Sequence, residues 1–173
     1  GQREDYDGWA AQGNPGWAWD DVKPYFLRAE HNERGADAWH GQGGPLNVAD
    51  LRAPNRFSHL FTQAGVQAGY AHNTDFNGAV QEGVGLYQVT QRDGARCSSA
   101  AAYLAPIRSR PNLTVHTGAM VSRVTFDGRR ANGVTYAMGG KAFHQPVARE
   151  VLLCGGAINS PQTLMLSGIG PAD

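Results

Sequence analysis

The hydrophobic pattern of this chain changes period several times, and each period predicts an element. Val151-Leu152-Leu153-Cys154 is a continuous apolar run between Arg149-Glu150 and Gly155. A run that short and uniform predicts a strand buried on both faces. Gly155 and Gly156 predict a turn with close backbone approach. Ser160 predicts an N-cap with Pro161 at the first helical position. Leu164, Met165 and Leu166 give that helix its apolar face, and Gly168 ends it. Such a strand–turn–helix joint brings backbone close to a nucleotide in an α/β fold. It also serves as an ordinary joint with no ligand.

Helical period returns at Asn55 to Ala68, where Phe57, Leu60, Phe61, Ala64 and Ala68 share one face and Gly69 follows. A further helix, capped by Asp20 or Asp21, carries Val22, Tyr25, Phe26 and Ala29 at helical spacing. Ser98 or Ser99 caps another that runs to about Arg108, with Pro111 marking its end. Strand period appears at Leu46 to Leu51 and at Val84 to Arg92, where Val84, Leu86, Gln88 and Thr90 alternate with Tyr87, Val89 and Gln91. Asn73 to Gly83 between them is turn-rich. Leu113 to His116 predicts a short strand. Met120 to Phe126 and Ala131 to Met138 predict an antiparallel pair around Asp127-Gly128. Gly139-Gly140 makes a second turn, and a third strand falls within Ala142 to Arg149. The chain carries no internal repeat and no low-complexity segment.

Composition narrows the function classes. The 173 residues suit one ordinary domain, and 41% hydrophobic residues suffice for a core. Fifteen basic and fifteen acidic residues balance, with no basic stripe, which disfavours nucleic-acid binding. No apolar run approaches the ~20 residues a transmembrane segment needs. Cys97 and Cys154 lie far apart without metal spacing and read as free thiols of a reducing, cytoplasmic setting, with peripheral membrane contact left open. The six histidines are scattered with no i, i+4 pair, so no zinc site is expected. The four tryptophans, Trp9, Trp17, Trp19 and Trp39, all fall in the first forty residues. They read first as anchors of a long irregular segment and second as a cofactor or substrate wall. Asp75 and Glu82 read as members of a solvated turn rather than a catalytic pair. Arg92, Arg96, Arg108 and Arg110 read as surface or salt-bridge residues before phosphate ligands.

Several blocks carry a family resemblance. Gly156-Ala157-x-x-Ser160-Pro161, followed by Ser167-Gly168-Ile169-Gly170-Pro171, resembles the second signature of the glucose-methanol-choline (GMC) oxidoreductases. Thr163 stands where the family usually has an aliphatic residue. Asp5-Tyr6-Asp7-Gly8-Trp9 and Gly13 to Val22 resemble the stretch after the family's flavin-enclosing loop. His40-Gly41-Gln42-Gly43-Gly44-Pro45-Leu46 is similar to the start of its substrate domain. Gly94 to Leu104 and Arg110 to Val115 resemble two more family blocks. Within the family the blocks look like those of bacterial choline dehydrogenases and medium- or long-chain alcohol dehydrogenases.

The resemblance implies a mixed α/β (α+β) chain, part of an FAD-binding Rossmann-like domain plus part of an antiparallel-sheet substrate domain. Residues 1–39 would connect the two after the flavin-enclosing loop, 40–95 would belong to the substrate domain and 96–173 to the FAD domain. The implied reaction is oxidation of a CH–OH donor, a primary alcohol or a choline-like small molecule, by hydride transfer to FAD. The alternatives are an oxidase, a hydroxynitrile lyase or a fatty-acid photodecarboxylase of the same fold, or an excised packing module without activity. The photodecarboxylases resemble this chain in having Cys at the place of Cys154, where a packed thiol is the plainer reading. No Gly-x-Gly-x-x-Gly fingerprint precedes a helix here, and no histidine matches the family's catalytic one. No catalytic residue is therefore carried over, and the chain is expected to be an internal piece of a larger enzyme. The cofactor contacts carried over are Val121, whose counterpart holds the adenine through its backbone, and Gly155, Gly156 and Ala157, where the apolar run ends.

Overall fold

The computed structural model describes residues 2–171. Helix and sheet are mixed, and the chain divides into two compact units, 2–113 and 114–171.

The first unit opens with two helices, α1 (Arg3–Ala11) and α2 (Trp19–Ala29). In each, an Asp at the third helical position takes a free N–H just before the helix. Asp5 Oδ2 accepts from Gln2 N (2.8 Å) and Asp21 Oδ2 accepts from Ala18 N (3.2 Å). Negative charge in the first turn also suits the helix dipole. The sequence pattern anticipated α2, with the cap moved to Ala18, but not α1. Tyr6 packs on Trp9, Trp19 and Phe26 at centroid distances of 5.3–5.9 Å, and Trp9 packs edge-on against Trp17. Trp9, Trp17 and Trp19 thus anchor the segment, which is largely helical rather than irregular, while Trp39 stands outside these contacts against Lys23.

Strand β1 (Glu30–Asn32) follows α2 directly and pairs in parallel with β2 (Leu46–Val48), Glu30 opposite Leu46 and Asn32 opposite Val48. The glycine-rich loop between them lies on the end of α2. A Cβ on Gly41 would strike the Leu27 carbonyl, and one on Gly44 the carbonyls of Ala29 and Glu30. Only glycine lets these backbones approach so closely, and Gly44 N donates to Glu30 O (2.9 Å).

Helix α3 (Arg56–Gln67) is capped by Asn55, whose side chain accepts from Phe57 N (2.9 Å). Its packed face is a correction. Ser58, Thr62 and Gly65 turn inward, with Gly65 against Val84, while Phe57 and Phe61 are about three-quarters exposed. The expected strand Val84 to Arg92 is also broken. Val84 bridges His72, Val89 bridges Ala49, and only Gln91–Arg92 (β3) forms a strand, a hairpin with β4 (Ala95–Arg96). The break falls where Gly85 lies against the Asn73 carbonyl, a close approach that replaces ladder pairing. After it, Ser98 Oγ accepts from Ala101 N (3.2 Å), as a cap should. The element it caps is a π-type turn, Ala100–Leu104, then a 3₁₀ turn, Ala105–Ile107, rather than a regular helix. Pro106 lacks the N–H that would continue the ladder.

In the second unit β5 (Met120–Asp127), β6 (Arg130–Met138) and β7 (Lys141–Pro146) form the expected meander, in that order. Val124, opposite a half-buried Val134, is its buried centre. Neither Leu113 to His116 nor Val151 to Cys154 is a strand. The latter correction has a physical reason. A strand buried on both faces needs a neighbour on each edge, and among the described residues none pairs with it. Leu152 is left 75% exposed.

Helix α4 (Gly156–Leu166) follows. It begins earlier than Ser160-Pro161 suggested. Pro161 lies inside it, and Ser160 Oγ accepts from Gly155 N (3.0 Å), capping from within. Its end is as expected. Gly168 adopts φ +82°. Its N–H reaches Met165 O (3.0 Å) and that of Ile169 reaches Leu164 O (2.9 Å), the paired bonds of a Schellman close. Ser167 ties the helix to the sheet: its hydroxyl accepts from Val124 N (2.8 Å) and donates to Thr163 O (2.6 Å).

Candidate functional site

The carried-over cofactor residues all lie in the second unit. Val121 sits near the start of β5 opposite Tyr136 and is 42% exposed. The register slips between Val121 and Arg123, so Ser122 bulges and its hydroxyl donates to Thr135 O (3.0 Å). A bulge re-aims side chains and frees main-chain groups from the ladder. Gly155, Gly156 and Ala157 form the exposed entry to α4. A Cβ on Gly155 would meet Asn159 and Ser160 at 3.0–3.2 Å, whereas Gly156 faces open space at φ +83°. The contact joining α4 to β5 through Ser167 is at the other end of the helix.

These residues suit a cofactor held by main chain. Gly155, Gly156 and Ala157 are exposed and carry no large side chain, and the start of a helix presents N–H groups to negative charge.

The first unit holds a polar cluster that the sequence did not suggest. His40 and Asn32 are buried at 7% and 1% exposure. His40 Nδ1 faces Glu30 Oε1 and Oε2 (3.1 and 3.3 Å), and Nε2 faces Asp75 Oδ2 (2.9 Å). Glu30 Oε2 also accepts from Gly41 N (2.9 Å). Asn32 Nδ2 donates to Glu30 Oε1 (3.1 Å) and Gln88 Oε1 (2.9 Å), and Asn32 Oδ1 accepts from Arg34 N (3.0 Å). Burial alone would lower the His40 pKa. The hydrogen bonds to Asp75 and Glu30, with their negative charge, outweigh it and raise the value above the ordinary 6.5. Asp37 closes the loop by accepting from Trp39 N and His40 N (2.7 Å each). The Trp39 bond is the main reason its carboxyl is held below the usual range.

Beside this cluster opens a cavity of about 670 Å³. It is lined by the aromatic side chains of Tyr6, Trp19, Phe26 and Trp39, by Glu30 and His40, and by the segment Phe76 to Glu82. Lys23 Nζ sits 4.9 Å from the centre of the Trp39 ring.

Asp75 is a correction. It is half-buried on His40, not part of a solvated turn, while Glu82 is exposed as expected. Arg92, Arg96, Arg108 and Arg110 are all exposed. Cys154 is an exposed free thiol, and Cys97 is buried, its sulfur 3.4 Å from Asn47 N. With both ring nitrogens engaged, His40 has no free lone pair to act as a base on a substrate. Spacing offered no sign of the cluster, because its members come from residues 30, 32, 40, 75 and 88. Among the described residues no helix is long and apolar enough to cross a membrane.

Comparison with known proteins agrees with the fold. A family model for GMC oxidoreductases matches residues 1–173. The chain is 47% identical to mouse mitochondrial choline dehydrogenase over 173 residues, covering all of this chain and 29% of that protein. It is 46% identical to an alcohol dehydrogenase [acceptor] of Pseudomonas putida, covering 99% of this chain and 32% of that one. Among solved structures, pyridoxine 4-oxidase from Mesorbium loti superposes with a TM-score of 0.84 at 33% identity, covering 99% of this chain and 34% of that chain. An FAD-dependent oxidoreductase from Chaetomium thermophilum gives the same TM-score at 28% identity. The chain thus spans about a third of the length of the relatives it matches. The family implies a flavin cofactor, and the chain belongs to the GMC oxidoreductases.

Proposed function

We propose that the protein carrying this chain is an FAD-dependent dehydrogenase that oxidises the CH–OH group of a primary alcohol or choline-like molecule. The observation that carries this is the match of the entire chain, at 46–47% identity, to a choline dehydrogenase and an alcohol dehydrogenase. FAD, when bound, supplies the hydride acceptor. The role of this chain is to hold it. Val121 offers backbone from a bulged strand, and Gly155, Gly156 and Ala157 offer accessible main chain at the start of α4. Both contacts are to backbone, so they depend on local conformation more than on side-chain identity. Proton abstraction from the alcohol falls to residues not in this chain. In domain terms, residues 40–95 act as substrate-domain material and 96–173 as flavin-domain material, with 1–39 crossing between them. The free thiols Cys97 and Cys154 suit a reducing, cytoplasmic compartment.

The test is direct. The full-length protein should be yellow, with a flavin spectrum that bleaches anaerobically on addition of a primary alcohol or choline. A colourless preparation that stays inert after incubation with FAD would refute the proposal. An oxidase is the second reading, favoured by the similarity to pyridoxine 4-oxidase. Stoichiometric peroxide during turnover in air selects it over the dehydrogenase.

A further inference from the structure

We propose that Asn77-Gly78 is a self-modification site, at which the folded chain converts Asn77 to aspartate and isoaspartate through a succinimide.

The chemistry needs only water. The backbone nitrogen of the following residue attacks the side-chain carbonyl carbon of the asparagine and closes a five-membered ring. That nitrogen gives its proton to a base as the new C–N bond forms, and the side-chain nitrogen leaves as ammonia. Water then opens the ring at either carbonyl. One opening gives aspartate in a normal main chain. The other gives isoaspartate, with an extra methylene in the main chain. Glycine after the asparagine makes the approach easiest, because it has no side chain to crowd the attacking nitrogen.

Asn-Gly occurs twice in the chain, at 77–78 and at 132–133. Both asparagines are exposed, so exposure does not separate them. The backbone does. Asn132 and Gly133 lie within β6, which is paired on both sides. Asn132 O accepts from Val147 N (2.9 Å), and its Oδ1 accepts from Thr125 Oγ1 (2.7 Å). Gly133 is buried against His144 and Thr125. Ring closure would have to swing Gly133 N out of the ladder, so it waits on opening of the sheet.

Asn77 and Gly78 lie in a turn and an adjoining bend instead. Among the described residues neither the Asn77 side chain nor Gly78 N has a hydrogen-bond partner. Asn77 N donates to Asp75 Oδ1 (3.0 Å), which leaves the attacking nitrogen free. On either side the loop is held. Asn73 Nδ2 donates to Val80 O (2.8 Å) and Glu82 O (3.1 Å), and the Phe76 ring packs on Tyr87 at 4.4 Å. Packing also accounts for the glycine. Asp75 Oδ2 lies 2.9 Å from His40 Nε2, and a Cβ on Gly78 would strike that same oxygen. The contact that seats Asp75 on His40 thus keeps glycine after Asn77. Both residues of the pair line the cavity, as does Glu82. Conversion replaces an amide there with a further carboxylate.

Peptide mass spectrometry of the full-length protein with its cofactor bound tests this, after prolonged incubation at neutral and at mildly alkaline pH in oxygen-18 water. The peptide holding residue 77 should gain the mass of an amide-to-acid change with one labelled oxygen, as a mixture of aspartate and isoaspartate, and faster at the higher pH. Asn132 should convert on the order of tenfold more slowly, because its ladder has to open first. In denaturant the two sites should convert at comparable rates. Asn77→Gln, whose longer side chain cannot close the five-membered ring, should retain its amide. A folded protein that keeps the Asn77 amide while the denatured one loses it overturns the proposal. So does conversion of Asn132 as fast as Asn77 in the folded protein.

Discussion

Gly44 and Gly8 show how far one residue's neighbourhood decides the effect of a methyl group. A Cβ on Gly44 meets the carbonyls of Ala29 and Glu30, so Gly44→Ala forces backbone apart. Overpacking of this kind costs about 1–3 kcal/mol, read as a lowered denaturation midpoint. Gly8 lies within α1 with open space around it. Gly8→Ala should instead stabilise, by about 0.5–1 kcal/mol, through helix propensity. Gly156 is a third case, open but at φ +83°. Gly156→Ala should cost about 1–2 kcal/mol and weaken flavin retention, seen as cofactor loss on dilution. His40 adds a pH dependence. Its folded pKa is raised, so its contribution is full below the ordinary histidine value and fades as pH rises through the folded value. The melting temperatures of wild type and His40→Gln should therefore converge toward alkaline pH. A gap that widens instead contradicts the sign. The glycines at 41 and 44 were visible in the sequence as a cluster, but what they approach was not, because Leu27 and Ala29 belong to another element.

Elements were legible where local chemistry settles them. The meander β5–β6–β7 could be read from alternation and from Asp127-Gly128 and Gly139-Gly140, since turn and period reinforce each other within a few residues. The close of α4 was readable for the same reason, at Gly168. Ser167→Ala removes a hydroxyl that serves both Val124 N and Thr163 O. It should cost about 1 kcal/mol, and calorimetry of the variant checks it. What failed was any inference needing a distant partner. The apolar stripe of α3 was identified correctly as a stripe, yet Phe57 and Phe61 face outward, because amphipathicity says which face is apolar and not what lies there to cover it. Val151 to Cys154 failed likewise. Its composition is that of a central strand, and its neighbours are not among the described residues. α1 was missed because Gly8 and the aspartates mask a helix held chiefly by Tyr6 and its aromatic contacts.

At the scale of the molecule, apolar surface is the dominant fact. Leu152, Ile158, Met165 and Leu166 are exposed in the second unit, and Phe57, Phe61 and Tyr70 in the first. The chain spans about a third of its relatives' length. Expressed alone, these 173 residues should bind a hydrophobic dye strongly and retain no flavin. Tight FAD binding with alcohol-dependent bleaching would contradict that. The family was legible from motifs, which also supply the proposed contacts at Val121 and Gly155 to Ala157. The cluster around His40 was not, since it closes over residues 30 to 88. That separation also sets an order of events. Contacts within the meander are local and form early, while the cluster has to bring distant segments together. On the ribosome, Asn32 and His40 emerge well before Asp75 and Gln88. Until those follow, the polar groups at the heart of the first unit are satisfied by water, and the unit cannot dry its interior.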